Sequence, residues 1–302
     1  AKTFLFFLER FNLAYLGEYF GLEIDGAHRA SVDTLKTGLV FSNLIIEVAS
    51  TPKQIIQTIS DITDHFNFYN KDLFNNILEV ASLNQKEKGL LKSKIKKTIP
   101  KHFYKHNGTN LTHSIPSDIK EWLNDEGEIS KNWPSFEKRE SQIDLASDIY
   151  STFKEDSILL AEAGTGLGKS LAYLSAGVLY SKKREIPLLV STYTKSLQEQ
   201  LFNNDIPKLA HALNLNMQVV IYKGRQNYIC LSRLSNLIAN CKNLLSNKDC
   251  IEFLAVLVWS QYTQTGDISE CNGFKITNAS RVWDLLKSEL GYCSTKRCTK
   301  YD

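Results

Sequence analysis

Long hydrophobic runs are missing from this sequence, which has no apolar segment near the ~20 residues that a membrane-spanning helix requires. The short apolar stretch Phe4–Leu8 is followed at once by Glu9 and Arg10, so it is not a secretory signal. Six cysteines without such a signal indicate reduced thiols or a metal site rather than disulfides. These absences exclude the membrane and secreted classes and predict a cytoplasmic protein.

A strong excess of charge is also missing, because 36 Lys and Arg residues face 33 Asp and Glu residues, for a net charge of +3. This balance neither requires nor excludes a nucleic-acid partner. Lysines do cluster between residues 86 and 105, either as a solvated helix face followed by a linker or as a patch that follows a phosphate backbone. A hydrophobic content of 43% supports packed cores and excludes a disordered chain.

The most informative motif is AEAGTGLGKS at residues 161–170, which follows the apolar run Ile158–Leu160 and precedes a helical pattern. A strand that turns through glycines into a helix directs several backbone N–H groups at one anion. In this pattern Lys169 reaches the β- and γ-phosphates, and the Ser170 hydroxyl binds Mg²⁺. The sequence therefore predicts a nucleoside triphosphate site formed by Ala163 (at the first Gly of the strict pattern), Gly164, Thr165, Gly166, Leu167, Gly168, Lys169 and Ser170.

Hydrophobic periodicity divides the chain into regions. Helical spacing dominates residues 1–97, and Pro and Gly mark residues 98–135 as a connector. From Glu137 onward helices alternate with three predicted strands, at residues 157–162, 188–192 and 217–221. This alternation predicts an α/β fold with a parallel sheet. After Tyr228 the pattern becomes helical again.

Four blocks in this order resemble the DinG and XPD group of superfamily 2 helicases. They are EKRESQIDLASDIY (137–150), AEAGTGLGKSLAYL (161–174), VSTYTKSLQEQL (190–201) and YKGRQNYIC (222–230). The resemblance covers about residues 137–302 and departs from the family loop at Leu167, where Thr is usual. It implies a RecA-like P-loop domain that is incomplete here, with ATP and Mg²⁺ as cofactors and single-stranded or forked DNA as the partner.

The same resemblance assigns roles to individual side chains. Arg139 and Gln142 are implied to bind the nucleotide, with Gln142 at the base. In the third block Thr192, Thr194 and Gln198 are suited to hydrogen bonds with the phosphates of a single strand.

Cys230 closes the fourth block, and in this family that cysteine is the first of four ligands to a [4Fe–4S] cluster. Cys293 and Cys298, spaced as C-x4-C, are the implied further ligands, and the fourth is expected beyond Asp302. The block Gln261–Glu270 also resembles the family's helical insert. Zn²⁺ fits the same thiolates, and buried free thiols are the alternative. The buried-thiol interpretation is preferred for Cys241, Cys250 and Cys271.

Residues 14–40 resemble the end of a DnaQ-like 3′–5′ exonuclease, with His28 and Asp33 in its H-x-A-x-x-D pattern. The resemblance implies that His28 is the general base to a water and that Asp33 binds one of two metal ions. An ordinary capped helix is the alternative. The other acidic motifs of such a domain are expected before Ala1, so we expect the chain to be a fragment that does not cleave DNA.

Four parts are predicted: an exonuclease remnant (1–50), a helical connector and linker (51–135), the first part of motor domain 1 (136–229) and a helical insert (230–302). The predicted function is that of an ATP-dependent DNA helicase of the DinG family with an associated exonuclease domain, in DNA repair or replication. The DEAH box and second motor domain are expected downstream, so this fragment alone is expected to be inactive. Two alternatives are an ATP-regulated exonuclease with little unwinding and a P-loop ATP-binding protein without helicase activity.

Overall fold

The computed structural model describes residues 1–22, 30–81, 103–108, 115–274 and 280–291. The chain divides into two compact units. The first unit combines Ala1–Pro100 with Gly224–Asp302, and the second unit is Lys101–Lys223. Each unit has its own hydrophobic core. Among the described helices, none has the length and apolar character needed to cross a membrane.

Helices make up most of the described residues. They are α1 (Leu13–Tyr19), α2 (Ala30–Ala49), α3 (Lys53–Thr63), α4 (Lys71–Ala81), α5 (Lys120–Leu123), α6 (Glu128–Asn132), α7 (Glu140–Lys154), α8 (Lys169–Arg184), α9 (Lys195–Gln200), α10 (Ile206–Ala212), α11 (Leu231–Ala239), α12 (Cys241–Leu244), α13 (Asn247–Ser260) and α14 (Arg281–Leu286). The strands are β1 (Phe103–His106) and β2 (Met217–Val220). A π-helical turn, Leu201–Asp205, joins α9 to α10, and 3₁₀ turns cover Arg225–Asn227 and Ile268–Glu270.

The first unit is built around α13, whose second half is buried on all sides. A capping box fixes its start, because the Ser246 hydroxyl accepts the Asp249 N–H and the Asp249 side chain accepts the Ser246 N–H. The residues from Phe253 to Trp259 are buried in the core, together with Phe4–Leu8 at the beginning of the chain. Residues far apart in sequence therefore share one core. The assignment of the chain to four predicted domains stays a prediction.

The second unit is centred on α7 and α8, whose apolar faces pack together. Strand β2 confirms the predicted strand at 217–221 within one residue, but it pairs antiparallel with β1, in a region predicted to be a connector. The turn beyond β1 needs a glycine at position 108, since a Cβ there would lie 2.0 Å from the Asn214 carbonyl oxygen.

Two predicted strands, at 157–162 and 188–192, lack strand pairing with any described residue. Their apolar side chains are exposed instead, with Ile158 at 97%, Leu160 at 98% and Leu189 at 91%. A strand is defined by hydrogen bonds to a neighbour, and the apolar pattern alone does not supply one. The described residues therefore form a helix-rich α/β structure with one small antiparallel sheet, and the predicted parallel sheet is not observed in them.

Candidate nucleotide site

Two glycines shape the loop before α8. Gly166 and Gly168 have φ angles of 85° and 84°, in the left-handed region where glycine carries no steric penalty. Gly168 is also the N-cap of α8, and among the described residues no side chain caps this end of the helix. The first-turn N–H groups of α8 are therefore oriented to accept an anion rather than a local side chain.

The Lys169 ammonium group lies over the loop that precedes it. Its Nζ donates hydrogen bonds to the carbonyl oxygens of Ala163, at 2.9 Å, and Gly164, at 2.8 Å. These contacts fold a long cationic side chain back onto the loop, where its charge adds to the positive end of the helix dipole. Both features favour a phosphate group at this position.

Arg139 and Gln142, from the start of α7, are brought to the same loop. Arg139 donates to the Gly166 carbonyl oxygen and forms an ion pair with Glu137 at 3.0 Å. The buried Gln142 side chain donates from Nε2 to the Gly168 carbonyl oxygen at 2.8 Å. A Cβ on Gly168 would lie 2.0 Å from this Nε2, so the close approach itself requires glycine. The structure thus places two predicted nucleotide-binding side chains against the loop.

A cavity of about 640 Å³ opens over the loop, a size typical of small-molecule sites; we name it the loop cavity. Seven predicted residues line it: Arg139, Gln142, Thr165, Gly166, Gly168, Lys169 and Ser170. Ala163, Gly164 and Leu167 are not among its lining residues. Its walls also include residues that the sequence did not suggest: Trp133, Phe136, Gln200, Asp205 and Lys208.

The unpredicted wall residues come from two places. Trp133 lies in the region predicted to be a connector, and Phe136 lies one residue beyond its predicted end. The Lys208 ammonium lies 5.8 Å from the centre of the Trp133 ring. The residues around Asp205 reach the cavity through the π-helical turn Leu201–Asp205, a feature often found at functional sites. A single extra residue per turn leaves no clear signal in a sequence pattern.

The three predicted DNA-contacting residues meet at the start of α9. Thr192 donates from its hydroxyl to the Thr194 carbonyl oxygen at 3.1 Å, and the Thr194 hydroxyl caps α9 by accepting the Leu197 N–H at 3.2 Å. Gln198 donates from Nε2 to the Tyr222 carbonyl oxygen at 2.5 Å. The third helicase-like block is thereby joined to the start of the fourth. The adjoining Tyr193 side chain is fully exposed.

In the first unit, backbone hydrogen bonds hold Cys230 in place. Its N–H donates to the Leu286 carbonyl oxygen at 2.8 Å, and the neighbouring Ile229 N–H donates to Gly266 at 2.9 Å. Cys230 is half-buried and is the N-cap of α11. The two other predicted ligands, Cys293 and Cys298, lie outside the described residues. Within the described residues there is no group of three or more His, Cys, Asp or Glu side chains placed to hold a metal ion.

The remaining cysteines, Cys241, Cys250 and Cys271, are buried. Burial raises the pKa of the Cys250 thiol to about 12, with a smaller contribution from Cys241, and burial raises the pKa of Cys271 to about 12 as well. Thiols of this kind are protonated and unreactive at neutral pH. These positions agree with the expected buried free thiols.

A buried carboxylate organises the loop that leads back to Cys230. Glu270 is 1% exposed and accepts hydrogen bonds from Trp259 Nε1 at 3.2 Å and from the hydroxyls of Thr263 and Thr265, both at 2.5 Å. The Thr263 hydroxyl in turn accepts the Gly266 N–H at 2.8 Å. Because Gly266 also accepts the Ile229 N–H, Glu270 stabilises the loop against which Cys230 is held.

Of the two exonuclease-like residues, the structure describes only one. Asp33 lies in the first turn of α2, where acidic side chains favour the helix dipole. His28 lies outside the described residues. Their joint role as base and metal ligand therefore stays a prediction.

Known proteins are similar to much of this chain. No protein-family model matches the chain. It is similar to ATP-dependent DNA helicase YoaA of Haemophilus influenzae, with 36% identity over 176 residues, 58% of this chain and 26% of that protein. It is also similar to YoaA of Escherichia coli, with 33% identity over 181 residues, 58% of this chain and 27% of that protein. The resemblance to DinG-type helicases is confirmed.

A third relative matches a larger share of the chain. The 3′-5′ exonuclease DinG of Bacillus subtilis is 26% identical over 292 residues, 92% of this chain and 29% of that protein. The match leaves out 8% of the chain, about 24 of its 302 residues. Even if all of the unmatched residues lie at one end of the chain, residues 25–278 fall within the match. The positions of His28 and Asp33 lie inside it. The chain spans less than a third of the length of each of these relatives.

Proposed function

We propose that this chain is part of an ATP-dependent DNA helicase of the DinG type, with an associated 3′–5′ exonuclease domain, that acts in DNA repair or replication. The observation that carries the proposal is the joining of Arg139, Gln142 and Lys169 to one glycine loop at the start of α8. The similarity to proteins named ATP-dependent DNA helicase supports it. A cytoplasmic location stays a prediction from the sequence.

ATP binding follows from the chemistry of the loop cavity. The N–H groups at the start of α8 and the Lys169 ammonium attract the phosphates, and the Ser170 hydroxyl is a ligand for Mg²⁺. Gln142 orients the base, while Arg139 fixes the loop through Gly166. Bound Mg²⁺ supplies charge neutralisation at the phosphates. The loop cavity holds the nucleotide, and hydrolysis depends on carboxylates that we place elsewhere in the protein.

The exposed apolar segments around Ile158 and Leu189 support a larger parallel sheet. Side chains of this type are buried on both faces when strands lie inside a parallel α/β sheet. We assign the missing neighbouring strands to the remaining length of the protein, since the relatives are more than three times longer than their matched parts. The second unit then contains part of a RecA-like motor domain.

Single-stranded DNA is the proposed partner of the α9 region. The hydroxyls of Thr192 and Thr194 and the amide of Gln198 are neutral groups suited to phosphate oxygens. The Thr192 hydroxyl and the Gln198 N–H both donate to the Thr194 carbonyl oxygen, which keeps the three residues together. DNA binding at these residues couples motion along the strand to ATP bound at the loop cavity.

A metal centre at Cys230 is proposed on the chemistry of its position. The thiol lies at the start of a nine-residue helix and is only half-buried, and cysteine sulfur is a ligand for both iron and zinc. The proposed ligands of a [4Fe–4S] cluster are Cys230, Cys293 and Cys298, and Zn²⁺ is the alternative metal. Either metal centre would cross-link segments that are distant in the sequence.

Anaerobic purification of a protein extended past Asp302 tests the metal centre. We expect a brown protein that contains iron, and we expect Cys230→Ser to lower the iron content by at least half, while the buried Cys250→Ser retains it. A colourless protein with zinc supports the alternative. Full iron content in the Cys230→Ser variant would contradict the ligand assignment.

A second candidate function, an ATP-regulated exonuclease with little unwinding, is favoured by one observation. The relatives that match about nine-tenths of the chain are named 3′-5′ exonuclease DinG. The helicase function is preferred because the named helicases are more similar, at 33–36% identity against 26–27%. Asp33 and His28 are the proposed exonuclease residues within this chain.

Assays on the complete protein separate the two functions. We expect single-stranded DNA to stimulate ATP hydrolysis at least tenfold, and we expect ATP to drive unwinding of a forked duplex. The matched variants Thr194→Val and Gln198→Ala should lose most of the stimulation and keep ATP binding. DNA-independent hydrolysis with ATP-controlled trimming of 3′ ends would instead support the exonuclease, and ATP binding without either activity would support a non-helicase P-loop protein.

A further inference from the structure

Helix α9, which carries proposed DNA contacts, has little hydrophobic contact with the rest of the second unit. None of its six residues is buried, and its single apolar side chain, Leu197, is half-buried. A helix this short is unstable alone, because most helices in proteins are stabilised by packing of an apolar face. The buried Leu201 and Phe202 of the following turn anchor only its end. Polar contacts with another segment are therefore needed to fix its orientation.

The segment that follows β2 is held in place by strand pairing and burial. Strand β2 pairs with β1, and the next residue, Ile221, is buried. Exposure then alternates, since Tyr222 is 81% exposed and the Lys223 side chain is only 3% exposed. The Lys223 ammonium therefore lies inside the unit, where a charged group is unfavourable unless it is paired.

Two neighbouring side chains of α9 contact this segment. The Lys223 ammonium donates to Glu199 Oε1 at 3.0 Å, and Gln198 donates from Nε2 to the Tyr222 carbonyl oxygen at 2.5 Å. Consecutive residues of the helix thus meet consecutive residues of the segment. Two adjacent contacts fix the rotation of a helix about its axis, which one contact does not. The ion pair is the stronger of the two, because its donor is charged and buried.

We infer that Lys223 is a positioning residue for single-stranded DNA, because its ion pair with Glu199 holds α9 in the orientation that presents Thr194 and Gln198 to the strand. This inference rests on the proposed DNA contacts at the start of α9. Since its side chain is buried, Lys223 acts through Glu199 and not by touching a phosphate. The fourth helicase-like block thereby gains a role in DNA binding through the third.

Titration of the complete protein with a fluorescently labelled oligothymidylate tests the inference. Lys223→Met keeps an unbranched side chain but removes the charge, so the Kd for DNA should rise roughly tenfold. The affinity for Mg²⁺–ATP should stay the same. The dependence of DNA affinity on salt should also stay the same, whereas loss of a lysine that contacts a phosphate makes the slope of log affinity against log salt shallower by about 0.7.

A double variant separates positioning from the effect of an unpaired charge. Lys223→Met alone removes the ion-pair partner of Glu199, whereas Lys223→Met combined with Glu199→Gln removes both charges together. The double variant should unfold at a urea concentration close to that of the unaltered protein, since the loss of a whole buried pair costs little. It should still bind DNA roughly tenfold more weakly. Lys223→Arg keeps the charge and should bind DNA within about threefold of the unaltered protein.

Lys131→Met is the matched control, since it removes the same charge from an exposed position of the second unit, and it should bind DNA normally. DNA affinity that is unchanged in Lys223→Met, or restored in the double variant, would overturn the positioning role while leaving the proposed DNA binding intact. A shallower salt dependence, or an equal loss of DNA and ATP affinity, would overturn it as well. No binding of the oligothymidylate to the unaltered protein would overturn the proposed function and this inference with it.

Discussion

Replacing Lys169 with alanine is expected to weaken ATP binding by roughly 30- to 150-fold, which corresponds to about 2–3 kcal/mol for a lost charge-assisted contact. The loss follows from the position of the ammonium group, which two carbonyl oxygens hold over the glycine loop. Isothermal titration with Mg²⁺–ATP measures the effect directly. The free energy of unfolding should change little, because this side chain contacts only the loop and is exposed.

Lys131→Ala provides the control for Lys169, because it removes the same charge from an exposed position in the same unit. It should bind ATP as the unaltered protein does. Lys169→Arg retains the charge but not the compact ammonium group, so we expect an intermediate affinity. Unchanged ATP affinity in Lys169→Ala would remove the loop from the nucleotide site.

Replacing Glu270 with alanine is expected to lower the free energy of unfolding of the first unit by about 3–5 kcal/mol. Three donors, from the buried Trp259 and the half-buried Thr263 and Thr265, lose their acceptor, and each orphaned buried group costs about 1–3 kcal/mol. Threonine hydroxyls can rotate toward other acceptors, so the sum lies below the maximum. Urea denaturation followed by tryptophan fluorescence measures the change.

Glu270→Gln separates charge and geometry from packing volume. Glutamine fills the same space but presents an NH₂ group where the site supplies only donors, so we expect a loss of about 2 kcal/mol or more. Glu18→Ala, at an exposed position of α1, should leave stability within about 0.5 kcal/mol. If Glu270→Gln unfolds at the same urea concentration as the unaltered protein, the carboxylate does not organise the loop beside Cys230.

The loop at the start of α8 could be predicted from the sequence because its determinants are local. Glycines at 166 and 168, a lysine at 169 and a following apolar helix specify the turn without help from distant residues. A role of Arg139 and Gln142 in nucleotide binding was implied by a family resemblance rather than by any pattern. Periodicity gives no information on which loop a distant side chain reaches.

Other features depend on contacts between distant residues and could not be predicted. The segment Phe4–Leu8 is buried beside α13, more than 240 residues later in the chain. Strand β1 is short and lies between Pro100 and Gly108 in a stretch typical of a connector, and it forms a strand because β2 provides hydrogen-bond partners. Conversely, the apolar segment at 157–162 has the composition of a strand, but the described residues give it no neighbour.

Amide hydrogen exchange of this chain with and without Mg²⁺–ATP tests most directly whether the loop cavity is a nucleotide site. We predict that ATP slows exchange at the amides of the glycine loop and the first turn of α8, residues 164–172, since these N–H groups become phosphate ligands. Exchange in α3 and α13 of the first unit should stay unchanged. Protection that is absent from residues 164–172 at saturating ATP, or that appears only in the first unit, would contradict the proposed site.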